Sequence, residues 1–272
     1  MSNCNGRCDS CGSKCDKEEF IAKQNAFSNI KDVVAIISGK GGVGKSLVTG
    51  LLACSGKRQN QEIGIIDADI TGPSIPKIFG VNEKAMSDGE GLYPVVTNNG
   101  VKIMSMNLLL ENEHDPVIWR GPVIAGAVKQ FWTDVKWGDV DTMFIDCPPG
   151  TGDVPLTVFQ SFIVRGIVVV TSPQDLVSDI VAKGVNMAKM LDVPVLGIIQ
   201  NLSYFVCDNC DKKHYIYGDS KIRKVAEEFN IQNVFELPII PNVAEKCDKG
   251  EISQVNIEGF DEFYKNCIMK KD

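Results

Sequence analysis

The octapeptide Gly39-Lys40-Gly41-Gly42-Val43-Gly44-Lys45-Ser46 constrains this chain more than any other stretch. It follows a short apolar run, residues 33–38, and precedes residues 47–55, which read as a helix. A GxxxxGK[ST] pattern between a strand and a helix is the signature of a phosphate-binding loop. Glycines let backbone N–H groups turn inward around phosphate oxygens, and the helix N-terminus adds favourable partial charge. Lys45 is then placed to reach the β- and γ-phosphates of ATP, and the Ser46 hydroxyl to bind Mg2+. The alternative is a glycine-rich turn with an incidental lysine. The complete octapeptide in its strand–helix context weighs against it.

Such a loop needs a sheet to carry it. Residues 63–67, 101–106, 142–145, 166–171 and 193–199 form further apolar runs. Helical patterns at residues 123–135, 177–191 and 221–229 lie between or after them. Continuous apolar strands alternating with helices predict an α/β fold, a mostly parallel, doubly wound sheet of the P-loop NTPase type. Right-handed crossovers place the loops after the strands along one edge. With 44% hydrophobic residues the chain can build a large core. Composition separates a cysteine-rich arm, residues 1–22, from an ATPase domain over residues 31–272. Residues 21–31 between them read as a polar lead-in with room for one helical turn.

Charge and hydropathy narrow the partners. The formal charge of −7 argues against a general nucleic-acid binder. No run reaches the roughly 18 apolar residues that a spanning helix needs. The polar N-terminus lacks the apolar core of a secretory signal. A cytoplasmic protein without membrane or nucleic-acid partners is the expectation.

Carboxylates at the strand ends complete the nucleotide site. Asp67 and Asp69 begin the segment Asp67-Ala68-Asp69-Ile70-Thr71-Gly72-Pro73-Ser74, and Asp146 ends an apolar run within FIDCPPGTGD. Asp67 and Asp146 are candidates for the Mg2+ shell, and Asp69 for orienting the attacking water. Each would read alone as a cap or turn residue. Their shared placement after strands favours the functional role. Pro148-Pro149-Gly150-Thr151-Gly152 has the punctuation of a stiff switch loop.

The early lysine makes GKGGVGKS resemble the deviant Walker A motif of the SIMIBI-type ATPases. In that class the residue at the position of Lys40 crosses a dimer interface to the other subunit's nucleotide. The resemblance implies a homodimer with two ATP sites, and with the readings above it makes Lys40, Lys45 and Asp69 the catalytic candidates. A monomer with Lys40 as a solvated charge is the alternative. IIDADITGPSIP, Trp119-Arg120-Gly121-Pro122, DCPPGTGD and QNLSYF resemble the Mrp/ApbC-type iron–sulfur cluster carrier ATPases, over nearly the whole of residues 31–272. That resemblance implies ATP-dependent delivery of a 4Fe–4S cluster to apoproteins, with upstream scaffold proteins as donors. It also implies adenine recognition by Asn201 and a base-side loop at Pro238-Ile239-Ile240-Pro241. Spacing alone would read Asn201 as a turn residue.

Ten cysteines carry the remaining chemistry. In a reducing compartment clustered thiols are more often metal ligands or redox groups than disulfides. Cys207-Asp208-Asn209-Cys210 supplies two soft ligands in an insertion near residues 204–217. A tetrahedral zinc or an iron–sulfur cluster wants four. Two chains about a twofold axis would supply them, which is also the arrangement the resemblance implies, with a labile cluster bridging the dimer. The family often has proline after the first cysteine, where this chain has Asp208. A zinc knuckle, with His214 completing a partial set, and a redox dithiol are the alternatives. Cys4, Cys8, Cys11 and Cys15 can wrap one metal centre without a partner chain, either a second 4Fe–4S cluster or zinc. Cys54, Cys147, Cys247 and Cys267 read as small buried hydrophobes.

Two other functions share the phosphate loop. A MinD/ParA-like positioning ATPase needs a membrane helix or a basic surface. Residues 260–272 have helical apolar spacing, but three lysines there are balanced by three acids. That segment reads as a helix packed on the core. A nitrogenase-reductase-like electron-transfer ATPase also bridges a cluster across a P-loop dimer.

Overall fold

The structure is a computed structural model that describes residues 21–70, 72, 74–110, 121–173, 177–218 and 220–270. Cys4, Cys8, Cys11 and Cys15 lie outside the described residues, as do Trp119 and Arg120. The central element is β1 (Ser28–Ser38). Its neighbours in the sheet are β5 (Gly138–Asp146) and β6 (Gly166–Thr171), both parallel to it. Outward from β5 lie β2 (Ile63–Asp67), β4 (Lys102–Met104) and β3 (Val95–Val96). Outward from β6 lie β7 (Val195–Gln200) and β10 (Val234–Glu236). Among the described residues the sheet has eight strands, and only β3 runs antiparallel to its neighbour.

Alternation along β1 explains why helices cover both faces. Val34 and Ile36 point into one core with Leu51 and Leu52 of α1 (Lys45–Arg58). Val33, Ala35 and Ile37 point into the other with Phe131 and Trp132 of α3 (Gly121–Thr133) and Val181 of α5 (Val177–Met190). A strand buried on both faces has no polar side to display, hence the continuous apolar run. The remaining α-helices among the described residues are α2 (Ile75–Ile78), α4 (Asp153–Ser161), α6 (Ile222–Glu228), α7 (Val243–Asp248) and α8 (Phe260–Tyr264). After α8 the chain continues as a π-helical turn, Lys265–Met269, and buries Phe260, Phe263, Tyr264, Cys267 and Ile268 in the α1-side core. The C-terminal segment thus packs on the core. No helix among the described residues is long and apolar enough to cross a membrane.

Two expectations need correction. The polar lead-in is not a helical turn: from Ser28 it is already strand, paired with β5 from Ser28↔Gly138 onward. Polar side chains here face solvent beyond the core, as Asn29 does in donating to Asp139 at 2.9 Å. Helix α4 adds an element where the sequence showed only turn punctuation.

One close backbone contact locks α7 against α2. Gly80 and Gly250 both have positive φ, and a Cβ added to Gly250 would lie 2.1 Å from Gly80 Cα. Backbone cannot move aside as a side-chain tip can. Gly250→Ala is therefore expected to destabilise the protein by about 3 kcal/mol, read as a lowered urea midpoint.

Candidate nucleotide site and cysteine hairpin

The phosphate loop leaves the C-terminal end of β1 and enters α1 at Lys45. Gly42 and Gly44 take φ of 80° and 83°, a conformation that costs glycine little. A cleft of about 260 Å³ is lined by the loop together with Lys40, Ser46, Asp69, Ser74 and Pro149. Pro149 arrives with the switch loop, whose Gly150 N–H donates to the Ser38 carbonyl at 2.8 Å. Lys40 is exposed on the rim, while Lys45 is buried.

Sheet register brings the carboxylates together. Asp67 is the Cα partner of Asp146, and Asp146 is the partner of Ile36 just before the phosphate loop. Lys45 Nζ lies 2.8 Å from Asp146 Oδ2 and 3.8 Å from Asp69 Oδ2. Burial opposes the Lys45 charge, but Asp146, Asp69 and Asp67 outweigh it and raise the ammonium's pKa. Beyond its ion pairs with Asp146 and Asp69, the ammonium's donors find no acceptor among the described residues. They are the donors a phosphate would take. Asp146 also accepts from Ser46 Oγ at 2.6 Å and from Thr49 Oγ1 at 2.7 Å. Thr49, one turn beyond Lys45, was missed from sequence. Its only signal there is a hydroxyl on the helix face that continues from Lys45.

Asp67 is fully buried and accepts from Ser105 Oγ at 3.2 Å and from the Asp69 N–H at 3.2 Å. Burial, reinforced by the neighbouring Asp146, pushes its carboxyl up to about 8. A proton on Asp67 relieves the repulsion that its register partner would otherwise impose. The donor set suits a hard divalent cation: a hydroxyl and carboxylates, all oxygen.

Asn201 reaches the phosphate loop, and the residues flanking Pro238 pair with the chain on either side of Asn201. Asn201 is buried, and its Nδ2 donates to the Val43 carbonyl at 2.9 Å. A Cβ on Gly44 would stand 2.2 Å from that nitrogen. Pro238 follows Leu237, whose N–H donates to the Gln200 carbonyl, and precedes Ile239, whose N–H donates to the Tyr204 carbonyl.

The cysteine pair sits on a separate small hairpin. Its strands are β8 (Phe205–Val206) and β9 (Lys213–His214), antiparallel to each other. The Cys207 N–H donates to the Lys212 carbonyl at 3.0 Å, and the Asp211 N–H closes the turn on the Cys207 carbonyl at 2.9 Å. Cys207 is half-buried and Cys210 exposed. N–H donation from Asn209, with the Cys210 thiol and N–H, lowers the Cys207 pKa. That favours the thiolate, the form that ligates metals. Among the described residues no three His, Cys, Asp or Glu side chains of one chain converge as a metal site. Burial instead raises the thiols of Cys54 to about 11 and of Cys147 and Cys267 to about 12. They are packed in the interior, and Cys247 is half-buried.

A glycine-rich loop at the end of the central parallel strand, with a buried lysine and carboxylates from two adjacent strands, defines a P-loop NTPase. The chain belongs to the NUBPL iron-transfer P-loop NTPase family of ParA type, whose sequence profile matches residues 29–269. It is 44% identical to the iron-sulfur cluster carrier protein of Methanocaldococcus jannaschii, across 92% of this chain and 90% of that protein. The iron-sulfur cluster carrier protein of Clostridium perfringens is 42% identical, across 92% and 94%. Among solved structures, a nucleotide-binding protein from Archaeoglobus fulgidus in complex with ADP aligns with a TM-score of 0.78 at 40% identity, covering 86% of this chain and 92% of that one. The septum site-determining protein MinD of Pyrococcus horikoshii, at 18% identity, TM-score 0.58 and coverage of 88% and 95%, shares the fold.

Proposed function

We propose that this chain is an ATP-dependent iron–sulfur cluster carrier. Two copies hold a 4Fe–4S cluster between their Cys207 and Cys210 thiolates and pass it to apoproteins. The observation that carries the reading is the exposed CxxC hairpin, with one thiol biased to thiolate, built directly onto the strand that contacts the phosphate loop. One hairpin offers two of the four ligands a cluster needs, and a twofold axis supplies the others. The names of the relatives, cluster carriers that align over nine-tenths of this chain, support the cargo.

In this reading Gly39, Gly41, Gly42, Val43 and Gly44 wrap the phosphates, Lys45 neutralises their charge, and Asn201 and Pro238 border the base. Ser46 and Asp146, already 2.6 Å apart, would hold Mg2+ with Asp67 behind them. The ion would supply charge neutralisation for hydrolysis of ATP. Asp69 orients water from the cleft wall, and Lys40 extends from the rim toward a second copy. Cys4, Cys8, Cys11 and Cys15 hold a further soft-metal centre, and upstream scaffold proteins load the carrier in the cytoplasm.

Anaerobic reconstitution tests the proposal. The expected result is a two-chain species with one bridging cluster that transfers to an apo-acceptor, measured by sedimentation, iron and sulfide analysis, and recovery of acceptor activity. A protein that stays single-chain with ATP and iron present, and delivers nothing, overturns it.

A further inference from the structure

Gln200 and Asn201 are consecutive residues at the end of β7, and their side chains serve different elements. Asn201 holds the phosphate loop through the Val43 carbonyl. Its backbone N–H extends the ladder to the Thr171 carbonyl at 2.8 Å, so the residue is fixed to the sheet. Its Oδ1 accepts the Leu202 N–H at 2.9 Å, across a turn in which Leu202 takes φ of 57°.

Gln200 turns to the cysteine hairpin. It is fully buried, and its Oε1 accepts from Ser203 Oγ at 3.0 Å and Ser220 Oγ at 2.6 Å. Ser203 precedes β8 and Ser220 follows β9. One carboxamide oxygen therefore ties the two ends of the segment that carries the Cys207 and Cys210 hairpin, Ser203 just before β8 and Ser220 beyond β9. Ser203 Oγ also reaches the Gln200 carbonyl at 2.8 Å, and Gln200 Nε2 has no partner among the described residues. A side chain held by its oxygen alone is a fastening that can shift with the strand end.

We propose that Gln200 is a positioning residue that couples nucleotide occupancy of the phosphate loop to the geometry of the Cys207/Cys210 hairpin. Phosphate binding draws on the backbone around Val43 and Gly44, against which Asn201 is packed. A displacement of Asn201 carries Gln200 with it through one peptide bond. Both ends of the hairpin segment then move together, because Ser203 and Ser220 share one acceptor. The physical warrant is a contiguous, buried set of hydrogen bonds that both sites can bias. The inference rests on the carrier reading for its purpose, but the coupling exists in the metal-free chain and is measured there.

The experiment follows the alkylation rates of Cys207 and Cys210 in the full-length, cluster-free protein, by mass spectrometry, with and without a non-hydrolysable ATP analogue and Mg2+. In the wild type, nucleotide is expected to change these rates at least about fivefold, the lower range of common coupling energies. Gln200→Met matches the length and removes the acceptor. It is expected to bring the change below about twofold, with nucleotide affinity within about twofold of wild type. Gln200→Glu keeps an acceptor oxygen and is expected to restore the dependence, which a merely structural role would not do. If Gln200→Met is poorly folded, Ser220→Ala removes one of the two stem bonds and is expected to give a partial loss. Full nucleotide dependence in Gln200→Met or in Ser220→Ala, or none in the wild type, overturns the inference. Failure of cluster delivery with thiol coupling intact counts against the carrier reading alone.

Discussion

Cluster content and transfer are expected to collapse in the Cys207→Ser/Cys210→Ser double variant. The iron and sulfide lost should correspond to one cluster per two chains, and transfer to an apo-acceptor should fall at least about tenfold. The reason is ligand chemistry. Iron–sulfur clusters are held by thiolates, and backbone N–H groups favour the thiolate at Cys207 before any metal arrives. A serine hydroxyl is a hard ligand that stays protonated near neutral pH. With both cysteines replaced, each copy loses its whole contribution to the proposed bridge. The substitution should leave stability within about 0.5 kcal/mol, because neither residue is in the core. Nucleotide binding should persist, since the phosphate loop lies on the other side of Asn201. Wild-type iron content and delivery in this variant would remove the hairpin from the mechanism and leave the cysteines of the arm as the carrier site.

How much of this was legible in the sequence depends on the range of the interactions involved. The phosphate loop, the buried strands and the strand-end carboxylates are written in local pattern. Each apolar run is continuous because both its faces are covered. Ser28 to Lys31 were misread because mostly polar residues on a projecting strand carry little apolar signal, and only pairing with β5 makes them strand. Helix α4 was hidden by Pro155 in its first turn, where proline is tolerated, and by the glycines before it. Thr49 and Gln200 were missed for a different reason. Their partners, Asp146 and Ser220, lie 97 and 20 residues away, and no spacing rule joins them. QNLS drew attention to the asparagine, yet the glutamine beside it fastens the hairpin.

Asp146 shows why the nucleotide site and the stability of the fold cannot be separated. It is fully buried at the end of β5 and gathers Lys45, Ser46 and Thr49, all from the first turns of α1. Asp146→Asn preserves the shape but removes the charge that balances Lys45. Breaking a buried ion pair outright costs about 3–5 kcal/mol. Here Lys45 keeps Asp69 at 3.8 Å, so the expected loss is nearer 2 kcal/mol, read as a lowered denaturant midpoint. Activity should suffer far more. With one buried charge gone from the proposed phosphate and Mg2+ site, ATP hydrolysis is expected to fall about 10²–10³-fold. The decisive readout is metal dependence. Nucleotide affinity in EDTA should stay within a few-fold of wild type, because the glycine loop and Lys45 remain. The tightening on adding Mg2+ should disappear. If the variant still binds ATP more tightly with Mg2+, to the wild-type extent, then Asp146 serves Lys45 and α1 alone and the metal is held elsewhere.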